Sequence, residues 1–85
     1  MKIGYKPFFI RQFNKLEKIL QEEVLEKIEL LKDISSHQYL KVHKLHGKLN
    51  NQYSFSVNYN YRIVFEYITK SDIQLVVIGD HNIYK

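Results

Sequence analysis

The hydrophobic period of this chain changes once, and that change limits what it can fold into. From Phe8 to Ile34 the apolar residues Phe9, Phe13, Leu16, Leu20, Val24, Leu31 and Ile34 form one broad stripe at helical spacing. From Tyr53 onward the period drops to two: Tyr53, Phe55, Val57 and Tyr59 alternate with Ser54, Ser56 and Asn58. One half therefore reads as helix and the other as strand. Helices gathered early and strands gathered late predict an α+β fold in which the helices pack on one sheet face. The other face is then free to carry a site.

The helical stretch has charges on its opposite side, with Glu22–Glu26 and Glu23–Lys27 four residues apart. A single helix over this stretch would extend about 40 Å, more than so small a domain can cover. The stripe could be one long helix or two, since no Gly or Pro marks a break; a helical hairpin with its turn near Ile19–Gln21 is the expectation. Before it, Lys2 to Lys6 reads as a strand with Ile3 and Tyr5 on one face, and Pro7 suits a first helical turn. Ser35 to Gln38 is a polar connector, and Asn50-Asn51 looks like a turn. A reversal is expected at Asn60, followed by a strand over Arg62 to Ile68 in which Ile63, Phe65 and Tyr67 share one face. Thr69 to Asp72 makes the next turn, and Ile73 to Ile78 is apolar on both faces, as in a strand covered on both sides. The expectation is an N-terminal strand, a helical hairpin and a three-stranded antiparallel meander, all in one domain over 1–85.

Composition adds limits. The 85 residues include no Cys, which removes disulfides and thiolate metal sites. No apolar run approaches the ~20 residues of a membrane span, and Met1 to Tyr5 lacks a signal peptide's apolar stretch. A soluble cytoplasmic protein with no membrane partner is the expectation. The net charge is +4, and its distribution is more informative than its size. Six of the nine acids precede Ile34, and none lies between Asp33 and Glu66. That gap holds Lys41, Lys44, Lys48 and Arg62, three of the four His, and Tyr39, Tyr53, Tyr59 and Tyr61. Cations with interleaved aromatics suit a nucleic acid, meeting phosphates and stacking on bases. A solvated basic surface over core tyrosines would give the same composition.

Phosphate-binding Gly loops, a nucleophile elbow and paired carboxylates are absent. His43 and His46 are loosely spaced, with no carboxylate or thiol near them in sequence, so neither a metal nor a cofactor is expected. The remaining His, Lys, Arg and Tyr suit RNA cleavage that uses no metal: His can transfer protons near neutral pH, and Arg or Lys can stabilise charge on the phosphate.

Four segments in order resemble one family. Lys44-Leu45-His46-Gly47 resembles the K/R-L-x-G segment of the RelE/ParE toxins, and Tyr53-Ser54-Phe55-Ser56-Val57 resembles their "lysfRv" strand. Asn60-Tyr61-Arg62-Ile63-Val64-Phe65-Glu66 resembles "YRIVYE", and Val77 to Tyr84 resembles the "IGTHDEVY" ending of RelE/StbE-type members. The resemblance implies a type II toxin that cleaves mRNA, with the ribosome as its setting and a cognate antitoxin as its partner. It places Arg62 at the scissile phosphate and His81 as acid or base, as in the YafQ-like and YoeB-like branches. It places Tyr84 against a base or the phosphate. Lys44, His46 and, less directly, His43 fall in the segment that supplies cations and sometimes a base; His46 joins the catalytic candidates, and Lys44, His43, Lys48 and Lys41 are the substrate-binding candidates. Arg62 could instead pair with Glu66 on the same strand face. The glutamate base of the YoeB-like branch and the second C-terminal Arg of RelE-like members have no counterpart. A ParE-like inhibitor of DNA gyrase, or a member that only binds its antitoxin, are the alternatives.

Overall fold

The structure, a computed structural model, describes residues 1–46 and 51–80. Its elements are strand β1 (Lys2–Tyr5), helices α1 (Pro7–Asn14) and α2 (Lys18–Leu31), a 3-10 turn over Ile34–Ser36, and strands β2 (His43–Lys44), β3 (Gln52–Ser56), β4 (Arg62–Tyr67) and β5 (Asp72–Gly79). The strands form one five-stranded sheet in the order β1-β5-β4-β3-β2. The meander β3-β4-β5 is antiparallel as expected. Two features go beyond the expectation: β1 joins β5 in parallel, Ile3 beside Ile73, and His43–Lys44 adds an edge strand against Ser54 and Tyr53.

The helical stretch is a hairpin, but its turn lies at Lys15–Glu17 and not at Ile19–Gln21. Local hydrogen bonding explains the shift. The N–H groups of Lys15 and Leu16 reach back to Gln12 and Phe13 in tightened turns, and Glu17 is extended at φ −65°, ψ 155°. The Gln21 side chain donates a second hydrogen bond to the Phe13 carbonyl at 2.8 Å, which ties the start of α2 to the end of α1. Pro7 opens α1, where its missing N–H costs nothing.

Both helices lie on one sheet face. Phe9 of α1 and Leu20, Val24, Ile28 and Leu31 of α2 are buried against Phe55, Ile63, Phe65, Ile73, Leu75 and Ile78. Ile34, expected on this stripe, is 70% exposed, because α2 ends at Leu31 and the following turn rotates it outward. Asp33 caps that turn, accepting from the Ser35 amide at 3.0 Å and its hydroxyl at 2.8 Å. Tyr59 was expected on the inner face with Phe55 but is 91% exposed. β3 stops at Ser56, and the Asn58 side chain accepts from the amides of Asn60 and Tyr61, both at 2.9 Å, which reverses the chain first.

A bulge sets the end of β5. Val64 pairs with Val77 and Phe65 with Leu75, leaving Val76 extra. Strict alternation would send Ile78 to the face opposite Leu75. The bulge returns it to the helical side, where it is buried.

Candidate functional site on the sheet face away from the helices

Paired residues in a ladder share a face, so the register defines rows across the outer side of the sheet. One row runs Gly4, Gln74, Glu66, Gln52; the next runs Val77, Val64, Ser54, His43; the third runs Gly79, Arg62, Ser56. The middle of this face is not open as expected: Val64, Ser54 and Leu45 are buried outside the main core. Polar groups surround that small apolar centre, with Arg62 toward one end, Glu66 toward the other and His43 on the edge strand.

Arg62 begins β4 where the hairpin closes. Its Nη1 donates to the carbonyls of Asn58 at 2.8 Å, Tyr61 at 3.1 Å and Tyr59 at 3.4 Å. The guanidinium is thus held by the turn backbone. It does not pair with Glu66, which lies four residues along the strand, about 13 Å away. Glu66 instead accepts from Lys6 Nζ at 2.8 Å, reached across β5. The Lys6 ammonium, aided by Gln52, holds the Glu66 carboxyl below the usual glutamate range against the opposing effect of burial.

The basic segment divides between the faces. His43 lies on the outer face beside Ser54, with its Nδ1 2.9 Å from the Lys41 carbonyl. Lys41, in the left-handed region at φ 58°, is exposed beside that edge; the Leu40 carbonyl before it accepts from the Ser56 amide at 2.8 Å. Lys44 pairs with Tyr53 and so faces the helical side, away from Arg62. His46 is exposed beyond β2. Lys48, His81 and Tyr84 lie outside the described residues. The structure therefore brings Arg62 and His43 to one face, with Lys41 at its edge, and separates Lys44 from them. Among the described residues, no group of three metal-binding side chains converges. No described helix is long and apolar enough to cross a membrane.

Lys6 was missed by sequence reasoning. Its signal was the alternation Lys2, Gly4, Lys6 opposite Ile3 and Tyr5, but only the parallel pairing of β1 with β5 brings it to Glu66.

A pair of helices packed on one face of a five-stranded sheet is the architecture of the RelE and YoeB toxins. A profile of the HigB-like toxins, described as RelE-like toxins of type II toxin–antitoxin system HigB, matches residues 10–81, and the chain belongs to that family. Its fold is similar to a YoeB/ParE toxin from Agrobacterium tumefaciens, with a TM-score of 0.76 at 14% identity over 95% of this chain and 99% of that one. It is also similar to the Staphylococcus aureus YoeB–YefM complex, with a TM-score of 0.74 at 18% identity over 95% of this chain and 97% of that one. The archaeal RelE–RelB complex from Pyrococcus horikoshii matches at a TM-score of 0.72 and 16% identity, over 93% and 92% of the two chains. No functionally curated protein matches by sequence.

Proposed function

We propose that this chain acts as a single domain over 1–85: an endoribonuclease toxin that cleaves mRNA on the ribosome in the cytoplasm and is held silent by a cognate antitoxin. The observation that carries the reading is the placement of Arg62, whose guanidinium is fixed by the hairpin turn on the face away from the helices. A pre-positioned cation stabilises a developing phosphorane without reorganising during reaction. In this chemistry the RNA 2′-hydroxyl attacks phosphorus and gives its proton to a base. The bond to the 5′-oxygen breaks, and that oxygen takes a proton from an acid. The products are a 2′,3′-cyclic phosphate and a 5′-hydroxyl, and no metal is required. His81 and His43 are the proton-transfer candidates. His46 is a further catalytic candidate, Tyr84 orients the base or phosphate, and Lys41, Lys44 and Lys48 supply cations to the RNA.

The antitoxin reading is supported by family membership and by fold similarity to toxins in YoeB–YefM and RelE–RelB complexes. A segment that folds on binding is a suitable partner. The test is to express the chain and map the 5′ ends of cellular mRNA. New ends are expected within translated messages, and Arg62→Ala should reduce their rate at least about tenfold. Because Arg62 also braces the turn, Asn58→Ala serves as a control that loosens the turn with the cation intact. Equal loss in both variants would reduce Arg62 to a structural residue. Intact mRNA with altered DNA supercoiling would favour the gyrase reading instead.

A further inference from the structure

Two grooves on the helical side differ in chemistry. The first, of about 210 Å³, is lined by Tyr5, Phe9, Ile10, Phe13, Leu25 and Ile28. Its wall on α2 carries Glu22 and Glu29, three residues before and four after Leu25, and therefore on the same side of that helix. Glu29 is paired with Lys32 at 2.8 Å, so the rim of this apolar groove carries mixed charge. The second, a wide cleft of about 580 Å³ at the far end of the sheet, is lined by Asn51, Tyr53, Tyr67, Ile68, Thr69 and Lys70.

Among the described residues, no carboxylate lines that second cleft. Asp72, near its rim, accepts from the Thr69 hydroxyl at 2.9 Å, and Glu66 is turned to the opposite face with Lys6. Two lysines flank the rings: Lys70 in the lining and Lys44, whose ladder partner is Tyr53. Tyr53 and Tyr67 meet edge to face at 5.0 Å, and Tyr67 keeps 37% of its surface exposed. A half-exposed ring braced by a second ring is a platform on which an unpaired base can stack. Burial, and then Tyr53, push the Tyr67 phenol above its ordinary value.

We propose that the cleft at Tyr53 and Tyr67 is a nucleobase-binding subsite for single-stranded RNA, with Lys44 and Lys70 engaging the phosphates on either side of the stacked base. The inference rests on the RNA-directed reading above and extends it. The subsite lies on the sheet face opposite Arg62 and at the other end of β4, about 17 Å along the strand. RNA reaching both wraps the β2 edge, where Lys41 and His43 are exposed.

The test uses the full chain carrying Arg62→Ala, so that bound RNA stays intact, and reads anisotropy of a labelled adenosine hexamer. Tyr67→Leu, which removes the ring but keeps an apolar side chain, should weaken binding at least about fivefold. Tyr67→Phe should retain binding. Lys70→Ala should weaken it and flatten its salt dependence. In NMR, the ring signals of Tyr53 and Tyr67 should shift as the hexamer is added, a measurement that stands even where Tyr67→Leu does not fold. Unmoved ring signals together with wild-type binding by Lys70→Ala would overturn the proposal. So would equal affinity for duplex RNA, whose bases cannot stack there, or ring signals that respond only to a protein partner. Binding is read apart from cleavage, so failure of the nuclease reading and failure of this subsite give different results.

Discussion

The Gln12 side chain grips the backbone of Ile78 at both ends: its Nε2 donates to the Ile78 carbonyl at 3.0 Å, and its Oε1 accepts from the Ile78 amide at 2.9 Å. β1 pairs with β5 only from Asp72 to Leu75. Past Leu75, the β1 side of β5 would be a bare edge, and bare edges recruit foreign strands. One amide side chain on α1 covers it and fixes the strand just before the C-terminal segment that holds His81 and Tyr84.

Gln12→Ala should therefore cost about 1–3 kcal/mol, the range for leaving partly buried backbone groups without partners. Gln12→Glu keeps the acceptor but loses the donor and should fall between Ala and wild type. Urea unfolding measures both. Wild-type midpoints in Gln12→Ala would show that water replaces the side chain without loss.

The Lys6–Glu66 pair makes part of the stability dependent on pH. The folded-state value of Glu66 is depressed by Lys6 and then by Gln52. Its contribution is thus fully present above the ordinary glutamate range and disappears as pH falls through the depressed folded value. Glu66→Gln should flatten the acid limb of the stability profile and leave the neutral region little changed, as the pair is partly exposed. The check is thermal unfolding followed from neutral to acid pH, with the Glu66 carboxyl titrated by NMR.

Aromatic residues should differ sharply with position. Phe9 is 2% exposed and packs between Tyr5 and Phe13, so Phe9→Ala should cost about 3–5 kcal/mol through lost burial and the cavity left behind. Tyr59 is 91% exposed in the hairpin turn, and Tyr59→Ala should stay within about 0.5 kcal/mol of wild type. Denaturant midpoints decide; a large loss at Tyr59 would mean that its ring packs against the chain in solution.

The sequence by itself determined the class and order of the elements. Period 3.6 from Phe8 to Ile34 and period 2 from Tyr53 report burial on one side of each element, a local property of the chain that failed at Ile34 and Tyr59, both exposed past the ends of their elements. The four family-like segments likewise pointed to a RelE/ParE toxin, and the profile over residues 10–81 agrees. Arg62 on the outer face was legible from the alternation of β4. What the period could not carry was everything set by hydrogen bonds and distant partners. Gln21 and the tightened turns at Lys15 and Leu16 moved the hairpin turn, Asn58 ended β3 before Tyr59, and the extra Val76 returned Ile78 to the core. The site divided for the same reason. Lys44 sits one residue from His43, so the pleat sends the two to opposite faces, and Lys6 meets Glu66 only because β1 lies parallel to β5. Which charges face one another depends on strand order and register, and those are fixed only when the whole sheet closes over its core.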